Sequence, residues 1–85
     1  MTRKQKLYQR IINNQHNIKF SDLITVINAF GFELDRITGS HHIYKHPKLN
    51  DDFLSLQPDK NGQAKPYQIK QFLSLVEEYN LRMTE

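Results

Sequence analysis

At 85 residues the chain has room for one small domain with a single thin core, and a catalytic cleft between two lobes is excluded. The absence of cysteine excludes disulfides and thiolate metal sites and is read as a reducing, cytoplasmic setting; no apolar run approaches the roughly 18 residues of a membrane span, so no membrane partner is expected. A net charge of +3 favours anionic partners such as nucleic acid.

The first residues, Met1-Thr2-Arg3-Lys4-Gln5-Lys6, lead into a mixed helix rather than the apolar stretch of a signal peptide. From Arg3 to about Asn14, Leu7, Tyr8, Ile11 and Ile12 form a narrow apolar stripe, which predicts a helix lying against the domain's edge. Arg3, Lys4, Lys6 and Arg10 make that helix a basic arm. A solvated face is the ordinary reading of such a cluster, and a phosphate or partner contact is the functional one. The polar run Asn13 to Asn17 ends the helix. A second helix is marked by Ser21 as N-cap, by Asp22 where the helix dipole favours an anion, and by a buried stripe of Leu23, Ile24, Ile27 and Phe30. Gly31 closes it as a residue able to take positive φ.

Phe32 to Ile37 alternates as a first strand, Thr38-Gly39-Ser40 is a tight polar connection, and His41 to His46 reads as an antiparallel second strand. Three of the chain's four histidines fall in that second strand. Pro47 ends it, Phe53 to Gln57 alternates as a third strand, and residues 58–65 form a turn-rich loop. A last helix begins at Pro66, with Gln68 at N3 as half of a capping box and with Ile69, Phe72, Leu73, Val76 and Tyr79 as the clearest 3.6-residue stripe in the chain. Leu75, Leu81 and Met83 fall off that stripe, where a partner protein would find them. The order predicts an α+β fold: a three-stranded antiparallel sheet with helices on one face and the other face open to water.

Successive strand residues point to opposite faces, so His41, Ile43 and Lys45 share one face while His42, Tyr44 and His46 share the other. Tyr44 offers the larger apolar area and is placed inward, which sends His41 and Lys45 to the open face. The same geometry disfavours a metal site. His41 and His42 point opposite ways, and His42 and His46 stand about 13 Å apart at roughly 3.3 Å per residue. Neither a metal nor another cofactor is implied.

Gly31-Phe32, Arg36, Gly39-Ser40-His41-His42-Ile43-Tyr44 and Pro47, followed by a third strand and a terminal helix, resemble the HicA toxins, the ribonuclease half of HicA-HicB toxin-antitoxin pairs. The resemblance runs roughly from Ser21 to Leu81. It implies a double-stranded-RNA-binding-domain-like α-β-β-β-α fold, here with an additional N-terminal helix: one domain over residues 1–85, with 1–17 as the extension and 18–82 as the core. It also implies an endoribonuclease (mRNA interferase) that cuts messenger RNA without a metal, and a HicB-like antitoxin protein as partner. The family's histidine directly after Gly-Ser corresponds to His41, which takes the catalytic role. Two features depart from the family pattern. Many members have a second histidine or a Gly-Thr pair leading into the last helix, where this chain has Ala64-Lys65-Pro66-Tyr67, and the first helix is an addition.

Cutting RNA without a metal needs a base within about 2.6–3.2 Å of a 2′-hydroxyl, and an imidazole suits that task near neutral pH. With His41 as the base, the Gly39-Ser40 turn supplies backbone N–H groups for a phosphate and Lys45 a neighbouring cation; Lys48, Lys60 and Lys65 lie in flanking loops where they can grip the RNA backbone. Gly39, Ser40, Lys45, Lys48 and Lys65 form the expected substrate-binding set. The rival reading is a non-catalytic nucleic-acid-binding module of the same fold. Against it stand the few stacking aromatics expected on the open face and the sparse lysines, Lys65 and Lys70, at the start of the last helix.

Overall fold

In the computed structural model, which describes residues 1–84, the chain runs α1 (Arg3–Asn13), α2 (Phe20–Ala29), β1 (Glu33–Thr38), β2 (His41–Lys45), a 3-10 turn (Pro47–Leu49), β3 (Leu54–Leu56) and α3 (Pro66–Glu78). The strands form one antiparallel sheet in the order β1-β2-β3. Residues of α1, α2 and α3 share a buried cluster with Tyr44, Leu54 and Leu56, so all three helices cover the same sheet face, as expected.

A reciprocal capping box starts α1: the Thr2 hydroxyl accepts from the Gln5 N–H while the Gln5 side chain accepts from the Thr2 N–H. The helix docks on its own domain through Ile11, which is 1% exposed, and through Tyr8, whose ring meets Phe30 edge-on at 4.9 Å. Burial pushes the Tyr8 phenol above its ordinary pKa. The buried stripe is narrower than the sequence implies, because Ile12 remains 41% exposed.

Ser21 is not the cap of α2. The helix begins one residue earlier, at Phe20, with Lys19 as an N-cap that makes no side-chain bond. The cause is a strap outside the helix. Lys19 bridges to Gln63, the Phe20 N–H donates to the Gly62 carbonyl, and the Ala64 N–H donates to the Ile18 carbonyl at 2.7 Å. These bonds hold the chain extended up to Lys19 and let it coil only beyond. Asp22 does sit in the first turn, 3.7 Å from the Arg3 guanidinium.

Gly31 follows α2 at φ +95°, the left-handed conformation that turns the chain directly into Phe32 and β1. A two-residue turn, with Gly39 at φ +62°, joins β1 to β2. Between Leu34 and Arg36 the register slips by one residue, so Asp35 is a β-bulge. β1 is a sheet edge exposed along its whole length. The helix layer does not reach under it, and even Ile37, on the helix side, is 55% exposed.

β3 is two residues shorter than the alternation of Phe53 to Gln57 predicts, but Leu54 and Leu56 are fully buried as that alternation requires. Pro66 is the first residue of α3, where its missing N–H costs nothing. Gln68 does not complete a capping box; it is 4% exposed and its carbonyl oxygen accepts from the Gln57 N–H at 3.1 Å. Phe72 anchors α3 between Phe30 and Phe32, with ring centroids 5.5 and 5.9 Å away. Leu81 is not a free surface residue. The tail folds back on α2, where the Thr84 N–H donates to the Ala29 carbonyl at 2.7 Å, and Leu81 is 5% exposed within the core. Leu75 and Met83 lean on the same cluster, which removes the surface that their positions off the α3 stripe implied.

At the other end of α3, the Tyr79 hydroxyl donates to the Asp52 carboxylate, tying the helix C-terminus to the β2–β3 connection. That bond, aided by slight burial and the charges of Asp52 and Glu78, pushes the phenol up to about 12. Because the folded pKa is raised, the bond's contribution is complete below the ordinary phenol value of about 10 and is lost as pH climbs through the raised one. Tyr79→Phe is therefore expected to lower stability at neutral pH, with the gap to wild type closing as pH approaches 12 in urea titrations. Ile11→Ala is expected to cost about 2–5 kcal/mol in the same assay. An unchanged midpoint would detach α1 from the core.

Candidate active site

The strand period of two decides what β2 offers to solvent. Tyr44 is buried against the helices, and burial raises its phenol pKa. His41 therefore faces the uncovered side of the sheet, where it is exposed at the first position of the strand, directly after the Gly39-Ser40 turn. Its Nδ1 lies 3.5 Å from the Ser55 hydroxyl on β3, and its Nε2 has no hydrogen-bond partner among the described residues.

Three elements meet around that imidazole. From the turn comes Ser40, whose hydroxyl accepts from the Gln57 side-chain amide at 2.6 Å. Gln57, at the end of β3, also accepts through its Oε1 from the Lys65 ammonium at 3.4 Å. Lys65 is the N-cap of α3. The Gln57 main chain is tied to the same helix through Gln68, whose side-chain amide in turn donates to the Tyr67 hydroxyl at 3.3 Å. The Gly39-Ser40 turn, the end of β3 and the start of α3 are thus linked by hydrogen bonds beside His41.

His42 and His46 do structural work. His42 points to the helix face, its Nδ1 3.2 Å from the Ser40 carbonyl and its ring 5.3 Å from Phe20. The bulge of the sheet lies in β1 while β2 keeps its register throughout, so His41 and His42 stay on opposite faces. His46 caps the 3-10 turn: Nδ1 accepts from the Lys48 N–H at 3.0 Å and Nε2 donates to the Phe30 carbonyl at 2.9 Å, which fixes its tautomer. Among the described residues no group of three or more His, Cys, Asp or Glu gathers as a metal-ligand set.

The expected substrate contacts divide by position. Gly39, Ser40 and Lys65 stand at the His41 end of the sheet. Lys45 is four residues along the same strand, about 13 Å away at roughly 3.3 Å per residue, and its ammonium is 3.8 Å from the Asp35 carboxylate, which Arg36 shares. Lys48 lies beyond it in the 3-10 turn. The strand's length separates these two lysines from His41, whereas Lys65 is joined through Gln57 to the Ser40 hydroxyl at the His41 end of the sheet. Ser55, Gln57 and Gln68 join the hydrogen bonds at the His41 end of the sheet, where the sequence alone did not place them. The alternation of β3 did place Ser55 and Gln57 on one polar face, but nothing local showed which face of β2 they adjoin.

A groove of about 440 Å³ lies elsewhere, between α1 and the C-terminal tail. Among the described residues Tyr8, Phe30, Leu81, Arg82 and Met83 line it, and no histidine is among them.

A family model described as "HicA toxin of bacterial toxin-antitoxin" matches residues 20–77, from the first residue of α2 nearly to the end of α3. The chain belongs to the HicA toxin family. Comparison with curated proteins and with solved structures returned no match. The matched span holds every residue of the constellation around His41, and it leaves out α1. Membership makes the chain the toxin half of a toxin-antitoxin pair, which implies an antitoxin partner. No helix among the described residues is long and apolar enough to cross a membrane.

Removing Gln68 tests how firmly β3 is tied to α3. Gln68→Ala strips the Gln57 N–H of its acceptor in a half-buried position and is expected to cost about 1–3 kcal/mol, read from urea unfolding. Amide exchange at Gln57 should accelerate with it, and protection equal to wild type would mean that the bond holds nothing.

Proposed function

We propose that this HicA-family chain is an endoribonuclease of the mRNA interferase type that cleaves RNA without a metal, with His41 as the general base. The observation that carries this reading is the state of the His41 ring: exposed, braced on one nitrogen by Ser55 and open on the other. With Nδ1–H donating to the Ser55 hydroxyl, Nε2 keeps its lone pair and faces solvent. A 2′-hydroxyl that reaches Nε2 gives up its proton as its oxygen attacks the adjacent phosphorus. The bond from phosphorus to the 5′-oxygen then breaks, leaving a 2′,3′-cyclic phosphate, and the departing oxygen takes its proton from water.

Negative charge grows on the phosphate oxygens in the transition state, and fixed donors or cations there lower the barrier. The Gly39-Ser40 turn and Lys65 supply them in this reading. Lys45 and Lys48, farther along the open face, take the more distant role of holding the RNA backbone by charge. Lysine and histidine provide the cation and the base, so the scheme calls for no metal ion. The substrate is mRNA, met in the cytoplasm, and a HicB-like antitoxin silences the enzyme by binding it.

His41→Ala is the decisive variant. Purified wild-type protein is expected to cut an in vitro transcript in the presence of a chelator and to halt growth when expressed alone. His41→Ala should lose about 10²- to 10⁴-fold in rate while keeping its circular dichroism spectrum. Equal cleavage by both proteins would take the imidazole out of the mechanism, and loss of wild-type cleavage in chelator would overturn the metal-free scheme.

A further inference from the structure

We propose that Gln57 is the positioning residue of this site, and that the lysine it holds, Lys65, is the cation that contacts the scissile phosphate. The inference rests on the ribonuclease reading above and names which of the chain's lysines serves it and how that lysine is held.

The Gln57 carboxamide is used in two senses at once. Its nitrogen donates to the Ser40 hydroxyl and its oxygen accepts from the Lys65 ammonium. Rotating the amide by half a turn would set its NH2 group against the ammonium, so the lysine itself fixes the orientation. The main chain at Gln57 is pinned as well, because its N–H donates to the buried Gln68 side chain. Backbone and side chain are both held, and two groups on separate elements, the turn and the α3 N-cap, are set at a fixed spacing beside His41.

Charge separates Lys65 from Lys45, and position separates it from Lys48, which lies beyond the far end of β2. Lys45 shares the Asp35 carboxylate with Arg36, so much of its charge is answered within the protein. Lys65 makes no ion pair among the described residues, and its partner is a neutral amide. A glutamine steadies the ammonium without cancelling its charge, whereas a glutamate in the same place would do both. Holding a long, flexible lysine in place before substrate arrives also removes part of the entropy that catalysis would otherwise have to overcome.

The test compares purified variants on a labelled in vitro transcript, with kcat and KM measured separately and folding followed by thermal melts. Lys65→Ala should lower kcat by about 10²-fold, the scale for removing one transition-state charge contact. Gln57→Ala should lower it by about tenfold or more, as a misplaced group does. The double variant should be no slower than Lys65→Ala alone, because both substitutions remove one unit. Gln57→Glu should melt like wild type yet lose kcat, an effect that a merely structural glutamine would not produce. Lys70→Ala, an equal change of charge on the exposed side of α3, should stay within about twofold of wild type.

Additive losses in the double variant, a Gln57→Glu enzyme with wild-type kcat, or a fall in kcat for Lys45→Ala matching that of Lys65→Ala would each overturn the assignment. The two proposals fail separately. Wild-type rates in His41→Ala sink the ribonuclease mechanism itself, whereas a dead His41→Ala beside fully active Gln57 and Lys65 variants sinks only the positioning role.

Discussion

The placement of His41 depends on the burial of Tyr44 three residues later. A strand sends neighbouring side chains to opposite faces, and an odd separation of three puts these two on opposite sides without further choice. Tyr44 lies in the core with Leu54 and Leu56 from the adjoining strand. Moving His41 inward would require a slip of one residue in β2, and that slip would carry Tyr44 into water, at a cost on the scale of burying a large aromatic side chain. The exposure of the imidazole is therefore secured by hydrophobic packing on the opposite face of the sheet.

Register is held at both ends of β2. At the start, the turn with Gly39 at positive φ fixes Thr38 opposite His41. At the end, His46 bonds back to the last turn of α2 through the Phe30 carbonyl. Gly31 makes that bond possible, since a Cβ there would lie 3.0 Å from His46 Nε2, and the φ of +95° already disfavours any side chain. The Gly31-Phe32 pair therefore does two jobs: it ends α2 and leaves room for the ring that clamps the strand beside it.

How much of this was legible in the sequence follows from the range of the interactions involved. The strand alternation around Tyr44, the positive-φ glycines and Pro66 at the start of α3 are local preferences written in adjacent residues, and the structure shows each where the pattern put it. The errors have tertiary causes. Ser21 lost the cap of α2 because a strap between residues 18–20 and 62–64 set the helix start, and Gln68 left its capping role because Gln57 needed its oxygen. The burial of Leu81 is hidden from the sequence because it depends on the tail folding back over α2, a contact across some fifty residues. The site divides along the same line. His41 and its turn form one short motif and Lys65 was expected from its loop, whereas Ser55 and Gln57 join them only through sheet pairing, which no spacing in the sequence records.

The first helix lies outside the family match yet inside the core, and its contacts give a reason for its presence. Tyr8 packs edge-on against Phe30, the residue whose carbonyl accepts from His46 and whose ring meets Phe72 of α3. Phe30 is thus a junction between α1, the α2 terminus, α3 and the end of the strand that begins with His41. A sheet of three strands, one of them a bare edge, offers little area to hold such a junction by itself. By covering Phe30, α1 adds apolar burial where the end of α2 is fastened to the sheet. In this chain the added helix strengthens the frame that sets the direction of the imidazole, while the residues beside that imidazole all come from the part shared with the family.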